Sequence, residues 1–217
     1  MSTERTDPAP RAGIAAMNIQ TMKQSLRQSI IAIRSGITLT ERQHLNALIA
    51  PRIAELEAYR AAATVLGYMS FGAEFAAEIF LRQALLDGKQ VLLPRVNRDT
   101  RQLDVYRVSD LAHDVAPGSW DIREPLIEHC EKVKDLSTID FILLPGVAFG
   151  LDGARLGYGG GYYDKLLARM PHQPTLVAAG FAMQVVADIP QETTDRKVEW
   201  LITELNTICC VRERGGI

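Results

Sequence analysis

The chain has 217 residues, 47% of them hydrophobic, which is enough for one domain with a sizeable core. Its formal net charge of −2 argues against a broad nucleic-acid-binding surface, although a local basic cluster can still hold an anionic ligand. No apolar run is long enough to cross a bilayer, so we expect no membrane association.

The cysteines give no sign of a structural metal site. The chain contains three, Cys130, Cys209 and Cys210, and their spacing matches neither a CxxC motif nor a Cys/His zinc site. The odd number of cysteines and the lack of a signal-peptide pattern predict a protein of the reducing cytoplasm.

The N-terminal part of the chain is predicted to contain a tail followed by a helix. Residues Met1 to Ala16 mix Pro, Thr, Arg and Ala without periodicity, so we predict a disordered tail and a single domain over residues 17–217. From Met17 onwards apolar residues recur at helical spacing. The predicted apolar face of this helix carries Met22, Leu26, Ile30 and Ile33.

A second helix is predicted to follow Thr38, because Glu41 three residues later completes a capping-box pattern. It is expected to reach Leu56, with a kink at Pro51. Beyond it the apolar pattern changes to that of buried strands. The predicted strands are Ala62–Met69, Val91–Leu93, Leu103–Val108, Phe141–Leu144, Thr175–Ala179, Trp200–Thr203 and Ile208–Val211.

Helices are predicted between some of these strands. One covers Ala73–Leu86 and ends at Gly88, and another has Tyr163, Leu166, Leu167 and Met170 on one face. We expect Pro94 to end its strand and interpret residues 113–125 as loop. The alternation of strands and helices favours an α/β fold with a mostly parallel sheet covered on both faces.

Three polar segments follow predicted strands. They are Met69 to Glu74, Pro94-Arg95 and Gly146 to Gly161. Because ligands of such sheets bind beyond the carboxyl ends of the strands, we expect these segments to converge on one pocket.

The most informative segment runs from Leu144 to Asp164 and contains six glycines between Gly150 and Gly161. Glycines between a strand and a helix allow backbone N–H groups to converge on an anion, and the start of the helix adds a favourable dipole. Arg155 is a candidate phosphate clamp and Asp164 a candidate ligand of a hard metal ion. A polyanion with its magnesium would fit such a site.

Two common phosphate-binding motifs are absent. Gly157 and Gly159 begin a GxGxxG pattern, but its third glycine is replaced by Tyr162, so the dinucleotide fingerprint fails. The Gly88-Lys89 pair lacks the Ser or Thr of a Walker A loop, because Gln90 follows it. The pattern therefore disfavours a nicotinamide-dependent enzyme and an ordinary P-loop enzyme.

Other polar residues have a structural interpretation beside a functional one. Lys23 and Arg27, one turn apart, fit a phosphate site or a solvated helix face. Glu74 fits a ligand contact or a favourable charge at a helix start. Asp195 fits a metal ligand or a turn residue, and Trp120 a stacking surface or a loop anchor.

Taken together, these motifs resemble the 5-formyltetrahydrofolate cyclo-ligase family, also called methenyltetrahydrofolate synthetases. The longest match is the run from Leu144 to Phe149 followed by the run from Arg155 to Asp164. Further matching segments are Lys23-x-x-x-Arg27, Ser70 to Glu74, Gly88-Lys89 with Leu93-Pro94-Arg95, and Asp195 to Val198. The resemblance extends from about Lys23 to Thr203.

The resemblance implies a three-layer, Rossmann-like α/β sandwich and an ATP-dependent ring closure. 5-Formyltetrahydrofolate would be converted to 5,10-methenyltetrahydrofolate, with ADP and phosphate as the other products, through a phosphorylated formyl group. The implied partners are therefore these small molecules and Mg²⁺, with no nucleic acid and no membrane, and the implied state is a monomer.

The resemblance also implies roles for the matching positions. Lys23 and Arg27 would contact the ATP phosphates, and Arg155 would stabilise charge that develops during transfer, which makes Lys23 and Arg155 the candidate catalytic residues. Asp164 and Asp195 would hold Mg²⁺, directly or through water. The implied nucleotide cradle is Arg155, Leu156, Gly157, Tyr158, Gly159, Gly160, Gly161, Tyr162 and Tyr163.

For the folate, the resemblance implies that Glu74 accepts hydrogen bonds from the pterin, that Met69 lines its pocket and that Trp120 covers it. The implied folate border is Tyr158, Gly159, Gly160, Gly161 and Tyr162. The chain departs from the family at Ala76-Ala77, where members often carry an acidic residue and Thr. Two competing hypotheses are an ATP-dependent enzyme acting on a different substrate and a non-catalytic binder of folate or nucleotide.

Overall fold

The computed structural model describes residues 11–211 and the side chains of residues 19–211. Residues 1–10 of the predicted tail lie outside the described part. The helices of the described part are α1 (Arg11–Ser35), α2 (Leu39–Glu55), α3 (Glu57–Ala61), α4 (Ala77–Leu86) and α5 (Tyr162–Ala168).

The first helix is longer than the sequence pattern predicts. α1 begins at Arg11, so the predicted boundary after Ala16 lies inside the helix instead of before it. The segment lacks an apolar period, but Ala and Arg are among the strongest helix formers and continue the helix without one. The second helix agrees with prediction, since the Thr38 hydroxyl accepts a hydrogen bond from the Glu41 amide and Pro51 lies inside α2.

Most strands of the described part belong to one large sheet. The strands are β1 (Thr64–Leu66), β2 (Gln90–Asn97), β3 (Gln102–Val108), β4 (Val115–Pro117), β5 (Arg123–Pro125), β6 (Lys132–Val133), β7 (Phe141–Leu144), β8 (Ala148–Gly150), β9 (Arg155–Leu156), β10 (Thr175–Ala179), β11 (Val185–Val186), β12 (Trp200–Ile202) and β13 (Thr207–Cys209). The large sheet has the order β13-β12-β10-β7-β1-β2-β3-β6. Its strands from β12 to β2 are parallel, and antiparallel strands close both edges, so the predicted mostly parallel sheet is confirmed.

The two faces of the sheet carry separate hydrophobic clusters, which makes the fold a three-layer sandwich. In β7, Phe141 and Leu143 pack in a cluster with α2, α3 and α4. Ile142 and Leu144 point the other way and pack in a cluster with α5. This alternation follows from the two-residue repeat of a strand, and all four residues are fully buried. The predicted α/β fold class is therefore confirmed.

Pro94 does not end its strand, contrary to prediction. β2 continues from Gln90 to Asn97 and pairs with β3 throughout. The neighbour on its other side, β1, ends at Leu66 opposite Leu92, so Pro94 lies where β2 is paired on one side only. Proline is tolerated at such positions because no ladder bond requires its missing N–H.

Two loop segments also differ from expectation. Residues 113–125 contain β4 and β5, which pair across a turn that holds Trp120 at a positive φ of 56°. The glycine-rich segment contains β8 and β9, which join β11 in a small second sheet. These strands are two or three residues long and their signal is hidden by the turn residues around them.

The face of α1 that is buried differs from the predicted one. Met22 and Ile33 are 48% and 53% exposed, whereas Lys23, Ile30 and Arg34 are buried. A helical period alone cannot choose between two overlapping faces. The buried face is determined by hydrogen-bonding partners elsewhere in the chain, to which the cationic side chains of α1 donate.

Candidate active site

The predicted site residues gather beyond the carboxyl ends of the parallel strands. The segment after β1 carries Glu74, and the segment between β9 and α5 forms the glycine loop (residues 157–161). α1 contacts both. Arg27 binds a carbonyl of the glycine loop, and Arg34 binds the Tyr158 hydroxyl, which in turn binds Glu74. The expected convergence of these segments is thus observed, apart from Pro94-Arg95, where Arg95 instead donates to the Pro125 carbonyl.

Lys23 is buried between two carboxylates. Its Nζ lies 2.7 Å from Asp195 Oδ2 and 2.9 Å from Glu192 Oε2. Burial opposes protonation, but the hydrogen bonds and negative charges of Asp195 and Glu192 outweigh it, so the pKa of Lys23 is raised above its ordinary value. Lys23 therefore remains an ammonium ion at neutral pH and is not on a solvated helix face.

Arg155 and Asp164, which flank the glycine loop in the sequence, form a second ion pair. Arg155 extends from β9, and one of its terminal nitrogens lies 3.2 Å from Asp164 Oδ1 in the first turn of α5. The other terminal nitrogen donates to the Pro145 carbonyl at 3.1 Å. The Nε of Arg155 is buried and has no partner among the described residues, which is uncommon for a buried donor.

The two predicted magnesium ligands are neighbours in space. The backbone amide of Arg196, which follows Asp195, donates to Asp164 Oδ1 at 3.4 Å. The Asp195 carboxylate also caps the amide of Glu192 at 2.8 Å. Distant parts of the chain thus bring two aspartates and two cations into one cluster (Lys23, Arg155, Asp164 and Asp195), with Glu192 as a further carboxylate beside Lys23.

The glycine loop is shaped by its contact with Arg27. The Nε of Arg27 donates to the Gly157 carbonyl at 2.7 Å, and burial lowers the pKa of this guanidinium. Gly159 has a φ of 101°, and a Cβ at this position would lie 3.5 Å from the guanidinium carbon. Gly161 at a φ of 64° begins α5 in the left-handed region. Only glycine adopts these backbone conformations without strain.

Glu74 lies in a polar chain that crosses the site. The Tyr158 hydroxyl donates to Glu74 Oε1 at 2.6 Å, and the Phe71 amide donates to Glu74 Oε2 at 3.1 Å. Burial raises the pKa of Glu74, and these hydrogen bonds with the charge of Arg34 partly offset that effect. Burial and the nearby Glu74 charge also raise the pKa of the Tyr158 hydroxyl. The helix start predicted at this position lies later, at Ala77, so Glu74 is a turn residue.

The remaining predicted folate residues differ in exposure. Met69 is buried next to the core cluster that holds Phe75. Trp120 is 66% exposed, and its ring meets Tyr162 edge-on at a centroid distance of 5.9 Å. The ring of Phe71 lies against the ring of Tyr158, with a centroid distance of 4.9 Å. The site therefore has aromatic side chains on both flanks of the glycine loop.

The side chains of two predicted cradle residues point into the core. Leu156 is buried with Val147 and Ala148, and Tyr163 packs against both core clusters. Burial raises the pKa of the Tyr163 hydroxyl. Because these side chains pack into the core, these two residues would contact a nucleotide through their backbone atoms.

A comparison with protein families identifies the family to which the chain is similar. The model of the family described as "5-formyltetrahydrofolate cyclo-ligase family" matches residues 19–204. The chain belongs to this family. The resemblance found in the sequence is confirmed, and the members of this family are ligases.

Curated cyclo-ligases are similar to the chain over most of their length. A probable 5-formyltetrahydrofolate cyclo-ligase of Caenorhabditis elegans is 29% identical over 198 residues, which cover 88% of this chain and 96% of that protein. The 5-formyltetrahydrofolate cyclo-ligase of Mus musculus is 28% identical over 200 residues, with 88% and 98% covered. The NMR structure of Aquifex aeolicus 5,10-methenyltetrahydrofolate synthetase has a TM-score of 0.78 at 29% identity, covering 90% of this chain and 96% of that one.

The donor set of this cyclo-ligase family member fits magnesium that arrives with a nucleotide. The described residues contain no group of three or more His, Cys, Asp or Glu side chains placed to hold a metal ion. Magnesium in phosphoryl transfer is usually held by one or two carboxylates together with phosphate oxygens. Asp164 and Asp195 supply such carboxylates, and a protein-only cage is not required.

Two polar residues of the site were missed in the sequence. Glu192 pairs with Lys23, and Arg34 binds Tyr158. Arg34 lies two helical turns after Arg27, so the cationic spacing of the helix contained a signal for it. Glu192 lies in a segment without regular structure and had no such signal.

No helix in the described part of this cyclo-ligase family member is long and apolar enough to cross a membrane.

Proposed function

We propose that the protein catalyses the ATP- and Mg²⁺-dependent closure of 5-formyltetrahydrofolate to 5,10-methenyltetrahydrofolate, with release of ADP and phosphate. Membership of the cyclo-ligase family supports the reaction class. The observation that carries the proposal is the cluster of Lys23, Arg155, Asp164 and Asp195 around the glycine loop. A site for phosphoryl transfer needs cations for the phosphates and carboxylates for the metal, and this cluster contains both.

The chemistry explains why a nucleotide is needed. The formyl oxygen of the substrate attacks the γ-phosphorus of ATP, the bond to the bridging oxygen breaks, and ADP leaves. The resulting iminium phosphate is attacked by the neighbouring nitrogen, which closes the five-membered ring and expels phosphate. An amide oxygen is a poor leaving group until it is phosphorylated, so the protein must bind both reactants in line and stabilise charge on the transferred group.

The cations of the cluster are assigned to the phosphates. Lys23 and Arg155 neutralise the negative charge of the transferring group, and the unpartnered Nε of Arg155 is a donor for one of its oxygens. Arg27 holds the glycine loop in place through the Gly157 carbonyl. When bound, Mg²⁺ held by Asp164 and Asp195 supplies further charge neutralisation.

The pterin is assigned to the side of the glycine loop that carries Glu74. A buried carboxylate is a strong acceptor for the N–H donors of a pterin ring. Tyr158 and Tyr162 flank the loop, and Trp120 stands exposed beside Tyr162, where a flat ring can stack. The ATP phosphates and the formyl group would meet above the glycine loop.

The Ala76-Ala77 departure does not alter this assignment. Ala77 is fully buried in the core cluster and its amide donates to the Ser70 hydroxyl. The amide of Ala76 donates to Asn46. The side chain of Ala77 is therefore used in core packing, and the backbone amides of both residues have partners inside the protein.

One assay tests the proposal. Protein, Mg²⁺, ATP and 5-formyltetrahydrofolate are mixed, and the absorbance of methenyltetrahydrofolate is followed together with ADP release. Equal amounts of both products are expected, with none when ATP is omitted. ADP release that requires a different formylated or amide compound would favour an enzyme with another substrate. Tight binding of folate or ATP without turnover would favour a passive binder.

The predicted monomer and the predicted cytoplasmic location also belong to this proposal. Light scattering checks the first and cell fractionation the second.

A further inference from the structure

Arg34 is a buried cation without a direct counter-ion. The residue is 3% exposed, and the only hydrogen bond of its side chain to a described residue joins one terminal nitrogen to the Tyr158 hydroxyl at 2.7 Å. Its Nε and its other terminal nitrogen are buried without a partner in residues 19–211. A buried guanidinium is costly unless an anion compensates its charge, so its position in the site requires an explanation.

The compensating anion is Glu74, and Tyr158 links the two. A guanidinium has only donors, so the Tyr158 hydroxyl must accept from Arg34. The single hydroxyl proton is then left for Glu74 Oε1, which lies 2.6 Å away. The direction of this chain is thus fixed by valence: Arg34 donates to Tyr158, and Tyr158 donates to Glu74.

Both oxygens of Glu74 are therefore acceptors. Oε1 accepts from Tyr158, and Oε2 accepts from the Phe71 amide at 3.1 Å. Each oxygen of Glu74 thus receives one donor, and such hydrogen bonds are stronger when the acceptor is ionised. The two donors favour the carboxylate form, against the burial of Glu74, which is 5% exposed.

The other groups around Glu74 do not supply this effect. The charge of Glu78, in the first turn of α4, opposes ionisation of Glu74. The hydroxyls of Tyr68 and Tyr163 feel the Glu74 charge but carry no positive charge themselves. Arg34 is the cation that favours ionisation of Glu74, and it acts across Tyr158.

We infer that Arg34 is a positioning residue that, through the Tyr158 hydroxyl, holds the Glu74 carboxylate ionised and in one orientation. Its purpose rests on the proposed function, in which Glu74 accepts hydrogen bonds from the pterin. A carboxylate held this way accepts two N–H groups of the ring, whereas a protonated carboxyl would offer a donor to one of them. Arg34 thereby sets the affinity for folate without contacting it.

The first experiment reads the network without any folate. The Glu74 carboxyl is followed by carbon-13 NMR over a pH series, and its resonance is assigned with Glu74→Gln. In Tyr158→Phe and Arg34→Met the titration midpoint is expected to move to higher pH than in the unmodified protein. Tyr59→Phe is the matched control, because Tyr59 donates to Asp87 at the same distance of 2.6 Å outside the site. An unchanged midpoint in Tyr158→Phe would overturn the inference.

The second experiment separates positioning from direct contact. Arg34→Met is expected to raise KM for 5-formyltetrahydrofolate about tenfold at neutral pH, with kcat and the KM for ATP nearly unchanged. Tyr158→Phe, at a residue of the predicted nucleotide cradle, is expected to raise KM for 5-formyltetrahydrofolate to the same extent. Since both act through one hydroxyl, the double variant should lose no more than the worse single variant. Arg34→Lys keeps a charged donor and should recover part of the loss. Additive losses, or equal losses in the KM for ATP, would overturn the positioning role.

The two experiments fail independently of the proposed function. If the unmodified protein does not turn over 5-formyltetrahydrofolate, the proposed function is wrong, and the titration of Glu74 still decides whether Arg34 and Tyr158 control its charge. If turnover is observed but the titration and KM are unaffected by the variants, the proposed function stands and the inference is wrong. Circular dichroism of each variant shows whether it is folded, and Tyr158→Phe, which removes one oxygen, serves if Arg34→Met does not fold.

Discussion

Lys23 Nζ lies 2.7 Å from Asp195 Oδ2, so a predicted phosphate-binding cation is paired with a predicted metal ligand. Arg155 and Asp164 repeat the arrangement at 3.2 Å. Without ligands, each of these cations thus contacts a carboxylate, and Glu192 gives Lys23 a second one. In the proposed function, binding of MgATP would exchange these contacts, so that each cation meets a phosphate and each aspartate meets the metal.

This exchange predicts that ATP and Mg²⁺ bind cooperatively. ATP alone leaves Asp164 and Asp195 facing its negative charge, and Mg²⁺ alone competes with Lys23 and Arg155. We expect Mg²⁺ to raise the affinity for ATP at least tenfold, which corresponds to about 1.4 kcal/mol of coupling free energy. Isothermal titration calorimetry with and without Mg²⁺ measures it. Equal affinities under both conditions would contradict the exchange.

Lys23→Met is expected to weaken ATP binding about tenfold or more, because it removes a buried charge from the phosphate site. The same variant frees Asp195, so it should bind Mg²⁺ more tightly in the absence of ATP. Lys132→Met is the matched control, since Lys132 lies 2.7 Å from Asp104 on the edge of the sheet. If Lys23→Met binds ATP with full affinity, Lys23 does not contact the phosphates and its role is structural.

Asp164→Asn is expected to reduce turnover by roughly a hundredfold or more, because the amide is a poor ligand for Mg²⁺ and no longer balances Arg155. Folate binding should change little, since Glu74 belongs to a separate hydrogen-bonded chain. Steady-state kinetics at several Mg²⁺ concentrations and fluorescence titration with folate provide the two readouts. Full activity at saturating Mg²⁺ would rule out a role for Asp164 in metal binding.

The stability of the protein should depend on pH through Glu74. Its folded pKa is raised above the ordinary value of 4.5, first through burial, so the folded state binds more protons than the unfolded state. The free energy of unfolding therefore falls as the pH rises from about 4.5 through the folded pKa. Glu74→Gln removes this titration, so its Tm minus that of the unmodified protein should increase as the pH rises above about 4.5, until Glu74 is ionised in the folded protein. Thermal unfolding over a pH series tests this, and a constant difference would contradict it.

Gly159→Ala is expected to weaken ATP binding and to destabilise the protein by about 1–2 kcal/mol. The φ of 101° is unfavourable for alanine, and the added Cβ would lie 3.5 Å from the Arg27 guanidinium. Gly88→Ala is the matched control, because Gly88 has a positive φ of 74° and a Cβ there meets nothing within 4 Å. Both variants should lose stability, but only the first should lose ATP affinity, measured by calorimetry.

The buried strands of the sheet were predictable because each is a short apolar run between turn residues. β7 and β10 begin and end at the predicted residues, Phe141–Leu144 and Thr175–Ala179. Pro94 was misjudged because its tolerance depends on where β1 ends, and no local pattern carries that information. The same limit applies to β4 and β5, whose pairing involves three residues each.

The part of the site that could be predicted from the sequence is the part formed by one continuous motif. The residues from Arg155 to Asp164 are adjacent in sequence, and they are adjacent in the structure. Lys23 and Asp195 meet across 172 positions, so their pairing was available only through the family resemblance. Arg34 was missed because it completes a cationic face on a helix whose apolar residues indicated a different buried side.

The attachment of α1 has a consequence for how the protein is made. Its buried cations find their partners at Gly157, Tyr158, Glu192 and Asp195, all of which leave the ribosome long after the helix itself. Until these segments have been made, the cations of α1 are hydrated by water and the helix lacks its docking partners. The helix therefore takes its place only after the segments from Gly157 to Asp195 have been synthesised, and the contacts of Lys23 with Glu192 and Asp195 form at that step.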